Sequence, residues 1–194
     1  MVDDLLEGFI FGDKTIGVNV AQFLNREKNK LLIFGYAGSG KTTLGERLAD
    51  RLRVKWVSID SMWWRIKEKY FKDLKIREAL RHKQVKEMVY RQVIDDLRSR
   101  ERMIMEGVDL LNIFIGLPNN YKGLILDQPM VILGTSAIKA GVRAAVRNMK
   151  RDNEGWQNLY LMPEYNLRKI KPHLDSLRRY VDRIPDAKIV EYKY

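Results

Sequence analysis

Gly35-Tyr36-Ala37-Gly38-Ser39-Gly40-Lys41-Thr42 sets three glycines, an ammonium and a hydroxyl in the pattern G-x-x-x-x-G-K-[ST]. Each residue type has a distinct use there. Gly35, Gly38 and Gly40 lack a Cβ, so the backbone can curl and turn several N–H groups inward around a phosphate chain, with Ser39 and Thr43 among the residues expected to bind it. Lys41 brings a fixed positive charge to the outer phosphates, and the Thr42 hydroxyl is a ligand suited to Mg²⁺. A glycine-rich turn matching by accident is the bland alternative, and the flanking sequence argues against it. Leu31-Leu32-Ile33-Phe34 reads as a buried strand, and Leu44, Leu48 and Leu52 recur at helical spacing. Strand, loop and helix follow one another directly, so a helix N-terminus with its partial positive charge points at the loop. The expectation is a nucleoside triphosphate site.

Other chemistry-bearing residues fall at strand ends. Val54 to Ile59 reads as a second strand ending at Asp60, followed by Ser61-Met62-Trp63-Trp64. Ligands of open α/β sheets sit beyond the carboxyl ends of strands, which is where an acceptor would meet the phosphates. The competing readings are helix capping by Asp60 or Ser61 and core packing for at least one tryptophan. Met103 to Glu106 forms a third strand with a carboxylate at its tip, suited to metal-bound water or an acceptor hydroxyl. Asp109 then caps a short apolar helix from Leu110 to Ile115, and Asp127 reads as a loop residue before Pro129. Met130 to Leu133 is the fourth strand. Beyond Gly134-Thr135-Ser136 the helix turns Ile138, Val142, Ala145 and Val146 inward and carries Arg143, Arg147 and Arg151. His82 and His173 stand apart, as neither ligands nor bases.

The elements that hold these residues alternate strand and helix, which implies parallel pairing and right-handed crossovers. Before the loop, Phe9–Phe11 and Lys14–Ile16 flank Gly12-Asp13 as a hairpin, leaving residues 1–30 as an N-terminal extension to a domain over 31–194. Val85, Val89, Val93 and Leu97 stripe one long amphipathic helix in a strongly basic region, residues 65–102. Residues 117–123 read as a turn-rich linker. Residues 152–158 read as a flexible loop, and Leu167, Ile170, Leu174, Leu177 and Val181 as the buried stripe of a closing helix. Ala187 to Tyr192 is a last strand.

Bulk properties bound the rest. A chain of 194 residues with 45% apolar content makes one domain with a full core. The net charge of +11 favours polyanionic partners, nucleotides or nucleic acid. With no cysteine there is no disulfide framework or thiol chemistry, and a reducing cytoplasm is the simplest expected home. The opening residues lack the order of a signal peptide, and no apolar run has the length of a membrane span.

From residue 30 onward the chain resembles the P-loop kinases, the group containing nucleoside monophosphate, shikimate, gluconate and polynucleotide kinases. The resemblance implies an α/β three-layer sandwich with a parallel five-stranded sheet in the order 2-3-1-4-5. It also implies a lid near residues 148–165. It makes Asp60 the acid that orients or deprotonates an acceptor hydroxyl and Glu106 the carboxylate that supports metal or acceptor. Arg143, Arg147 and Arg151 resemble the arginines that lead into the lid and neutralise the transferred group. ATP and Mg²⁺ are the implied cofactors, and the acceptor is nucleoside- or nucleotide-like, or a hydroxyl on DNA or RNA. No long Asp-Gly-x-Pro-Arg signature follows the third strand, unlike the adenylate-kinase type. A regulatory ATPase that transfers only to water is the reading from a different class.

Overall fold

The apolar runs become strands buried on both faces. The computed structural model of the chain describes residues 15–74, 76–79, 82–116, 119–152, 158–181 and 189–192. Strand β2 (Lys30–Phe34) is buried along its whole length and lies between β4 (Met103–Glu106) and β5 (Met130–Leu133), parallel to both. Strand β3 (Lys55–Ser58) continues the sheet beyond β4, again parallel. Alternation along β2 divides the core into two layers. Leu31 and Ile33 pack with Leu44 and Leu48 of helix α2 (Lys41–Leu52). Leu32 and Phe34 face the other cluster, which holds Val85, Val89 and Val93. The sheet is therefore sandwiched, as the strand–helix alternation implies.

The sheet has six strands rather than five, in the order β3-β4-β2-β5-β1-β6. Strand β1 (Thr15–Val18) runs antiparallel to β5 on one side and to β6 (Ile189–Tyr192) on the other. The five expected strands keep the expected order, but the extra one is wedged between the fourth and the fifth and makes the sheet mixed. The correction has a simple cause: β5 has a free row of backbone donors and acceptors on its outer side, and Thr15–Val18 fills it. Residues 9–14, the first arm, the turn and the start of the second arm of the expected hairpin, lie outside the described residues.

Helix α1 (Val20–Leu24) follows β1, and α3 (Ile59–Tyr70) begins directly after β3. Helix α4 (Ile76–Ala79) is a single turn, and α5 (Lys83–Arg98) buries Val85, Val89, Val93 and Leu97, the stripe its spacing predicts. Helix α6 (Val108–Gly116) follows β4. Where a linker was expected there is α7 (Asn119–Leu126), so Leu124-Ile125-Leu126 is a helix end and Asp127 the turn after it. Helix α8 (Ala137–Asp152) follows β5, then α9 (Asn158–Tyr165), a π-helical turn (Asn166–Ile170) and α10 (Lys171–Val181). The lid segment expected over 148–165 thus spans the end of α8 and all of α9, with 153–157 outside the described residues.

Helix α8 is turned differently from its apolar pattern. Ile138, Val142 and Val146 are exposed, whereas Ala140, Ala144 and Ala145 are fully buried. Small residues face inward because neighbours come too close for larger ones. A Cβ on Gly141 would lie 2.5 Å from Pro163 Cα of α9, and one on Gly38 would lie 2.8 Å from the Ala144 N of α8. Leu167 is likewise exposed and Asn166 buried in its place. The π turn carries an extra residue per turn, which brings position 166 rather than 167 onto the face of Ile170 and Leu174.

Candidate phosphate-binding cleft

The loop between β2 and α2 adopts a conformation that its glycines permit. Gly38 and Gly40 have φ of 81° and 95°, in the left-handed region that costs other residues energy. Gly40 is the residue before the first turn of α2, so the helix N-terminus opens onto the loop. Lys41, almost fully buried, curls back so that Nζ donates to the Tyr36 carbonyl at 2.8 Å. Burial lowers its pKa, while the nearby Asp60 and Glu106 carboxylates pull it back up and Arg147 pushes it down.

Beneath the loop, the Thr42 hydroxyl donates to Glu106 Oε1 at 3.2 Å. Glu106 is completely buried at the end of β4. Burial raises its pKa, tempered by the Lys41 charge. Ser58 lies near enough to lower it slightly, yet Oε2 has no partner of hydrogen-bonding geometry. A buried carboxylate oxygen without a partner, beside a threonine hydroxyl, is the chemistry of an Mg²⁺ site that takes few protein ligands and keeps water and phosphate oxygens for the rest. Among the described residues no three His, Cys, Asp or Glu side chains gather as a metal cage. The pair fits a phosphate-borne Mg²⁺ and not an all-protein site.

Asp60 is not a strand terminus. It lies in the first turn of α3, exposed, and the helix is capped by Ser58, whose Oγ accepts from the Ser61 N–H at 3.4 Å. A helix start carries the carboxylate to the same rim that a strand end would reach. Gly107, with φ of 150°, lets the chain after β4 pass close by: a Cβ there would lie 3.2 Å from Asp60 Oδ1.

A cleft of ≈ 220 Å³ unites these groups. Lys41, Thr42, Thr43 and Asp60 line it with Gly38 and Gly40, and Arg143 and Arg147 reach it from α8. Arginines at i and i+4 share a helix face, so two guanidinium groups confront the loop from one element. Arg151 lies one turn further along α8, with its side chain outside the described part. Gly35 and Ser39 belong to the loop but do not line the cleft; the buried Ser39 Oγ has no hydrogen-bond partner. The tryptophans part company: Trp63 is core and Trp64 is 42% exposed, one turn beyond Asp60 on the same helix face.

Sequence reasoning missed two features. Asp109 lies in the first turn of α6 rather than before it, takes a 2.9 Å hydrogen bond from Asn112 Nδ2, and has its pKa raised by burial. Asn166 is fully buried and bonds to the loop itself, Nδ2 to the Ala37 carbonyl at 3.1 Å and Oδ1 to the Ala37 N–H at 3.2 Å. An asparagine with no glycine or charge signature around it gives no sequence signal for that role. No helix among the described residues is long and apolar enough to cross a membrane.

No protein-family model and no curated protein matches the chain. Among solved structures it is similar to a candidate kinase from Chloroflexus aurantiacus J-10-fl, with 17% identity and a TM-score of 0.47 over 79% of this chain and 95% of that one. A likeness this distant transfers no chemistry, and the cleft is read from its own groups.

Proposed function

We propose that the chain is an ATP-dependent kinase that transfers the γ-phosphoryl group to a nucleoside- or nucleotide-like acceptor. The observation that carries this reading is the convergence of Lys41, Thr42, Asp60, Arg143 and Arg147 on one cleft above the buried Glu106. Backbone N–H groups of the loop and the start of α2 would hold the triphosphate, with Lys41 released from the Tyr36 carbonyl onto its oxygens. Thr42, with Glu106 behind it, would hold Mg²⁺, which when bound supplies charge neutralisation between the phosphates. Arg143 and Arg147 neutralise charge on the transferred group. Asp60 at the rim orients or deprotonates the acceptor hydroxyl. Positioning and electrostatics supply most of the catalysis in such a transfer, and arginine contacts alone reach factors of about 10³–10⁵. Trp64 offers a ring for an acceptor base to stack on.

A second reading has its own observation. Helix α3, with β3 and α5, borders a hollow of ≈ 360 Å³ whose lining includes Lys55, Arg65, Lys69 and Tyr70 and the acid Asp96. Arg65 and Lys69 stand with the exposed Tyr70 on the helix that carries Asp60, and cations beside an aromatic suit a DNA or RNA acceptor. Incubation with γ-labelled ATP, Mg²⁺ and a panel of nucleosides, nucleotides, single strands and duplexes tests both. Label on a small acceptor supports the first reading. Label on an oligonucleotide, with affinity falling steeply as salt rises, supports the second. Free phosphate alone would leave a regulatory ATPase. Lys41→Ala should abolish every one of these activities, and labelled product at the unsubstituted rate would overturn the kinase assignment.

A further inference from the structure

We infer that Asn166 is a positioning residue that locks the phosphate loop to the arginine-bearing α8–α9 hairpin. The inference rests on reading the cleft as a phosphate site. Asn166 is the first residue of the π turn, fully buried, and uses its amide three times. Oδ1 accepts from the Ala37 N–H, and Nδ2 donates to the carbonyls of Ala37 and of Ala137, each at 3.1 Å. One side chain therefore grips a loop residue by both its backbone groups and ties it to the first residue of α8. The amide has one workable orientation, because the reversed one would set oxygen against two carbonyls.

Further contacts act in the same sense. Gly38, next along the loop, is pressed against the backbone of α8 at Ala140 and Ala144. Gly141 holds α8 against Pro163 of α9, so the two helices pack as one unit. That unit carries Arg143 and Arg147, and Ala37 lines the cleft that they face. With the Ala37 N–H committed to Asn166 and the Ser39 N–H to the Tyr36 carbonyl, the loop N–H groups left to face a ligand lie at Gly38, Gly40 and the start of α2. Asn166 thus fixes the distance between loop amides and arginines, touching no reacting atom itself. The extra residue of the π turn brings the side chain inward, in keeping with the frequency of such turns at functional sites.

Two readouts on Asn166→Ala test this, against Ile170→Ala as a control that removes buried packing from the same turn and none of the three Asn166 hydrogen bonds. In Asn166→Ala the amide protons of residues 36–40 should exchange faster in the nucleotide-free protein. Calorimetric affinity for Mg²⁺–ATP should fall about tenfold or more. Ile170→Ala should lower Tm while leaving both near the unsubstituted values. Asn166→Ala behaving like that control would overturn the inference. If the unsubstituted chain takes up no ATP, the proposed function fails, and loop exchange alone still decides Asn166. Should Asn166→Ala not fold, the unsubstituted chain supplies the measurement: its Asn166 side-chain amide protons should exchange slowly and cross-relax with Ala37, and fast exchange would overturn the inference.

Discussion

Glu106 is a carboxylate the fold would hold more cheaply without its charge. Burial raises its pKa, so the folded chain binds that proton more tightly than the unfolded chain does. Its contribution to stability is fully present below the ordinary carboxylate range and is lost as pH rises through the raised value. Glu106→Gln keeps an acceptor for Thr42 and removes the charge. The nucleotide-free variant should melt about 2–4 °C higher at neutral pH, with a flatter pH dependence above pH 4. Differential scanning calorimetry across pH checks it, and a lower Tm at neutral pH would show that the Lys41 charge outweighs burial. On the proposed function the same variant should lose Mg²⁺-dependent transfer, because a neutral amide behind Thr42 offers the cation no anionic oxygen. Asp60 predicts the converse pattern. It is exposed at the cleft rim, so Asp60→Asn should leave Tm and ATP affinity unchanged while turnover falls about 10²–10⁴-fold. Turnover within a few-fold of the unsubstituted rate would remove its role.

Elements show why some of this was legible in the residues and some was not. The bend between β2 and α2 could be read because glycines report a local backbone conformation, here φ of 81° and 95° at Gly38 and Gly40. The stripe Val85–Val89–Val93–Leu97 could be read because a long helix with one wet face follows its period. Helix α8 could not, because its inward face is set by how near Gly38 and Pro163 approach, and distance between elements leaves no trace in hydrophobic spacing. Large apolar residues were displaced outward by that crowding. Ile138, 55% exposed, offers the check. Ile138→Lys should change stability by no more than about 0.5 kcal/mol by denaturant titration, as at an ordinary surface position. Ala144→Ile on the opposite face should destabilise by about 1–3 kcal/mol through overpacking. The reverse result would restore the apolar stripe to the core. The π turn is a similar case: one extra residue exchanges Leu167 for Asn166 at the buried face, and the i, i+4 pattern continues on both sides of it.

At the scale of the whole molecule, the strand order β3-β4-β2-β5 brings the ends of β2, β3 and β4 together, so that Lys41, Asp60 and Glu106 meet although the sequence separates them. The parallel pairing followed from strand–helix alternation and the order from the resemblance to the P-loop kinases. Strand β1 did not, since its partners Met130–Leu133 and Ile189–Tyr192 lie far along the chain and nothing near Thr15 announces them. As an interior strand, β1 has a neighbour on each side, and every N–H along it points at one of them. Gly17 sits opposite Val131 and Val190 and is buried. Gly17→Pro would remove an N–H from that ladder and leave a carbonyl without its partner, a loss of about 1–3 kcal/mol before any backbone strain. Tm should fall by about 2–12 °C for a chain of this length. Strand β5 leads through Gly134–Ser136 into α8, so the edge that β1 covers also supports the helix bearing Arg143 and Arg147. Nucleotide affinity measured well below the new Tm should nevertheless stay near the unsubstituted value, because β2 holds β5 from its other side and is itself backed by β4. An unchanged Tm would mean that Thr15–Val18 is an ornament on the sheet's edge and not one of its interior strands.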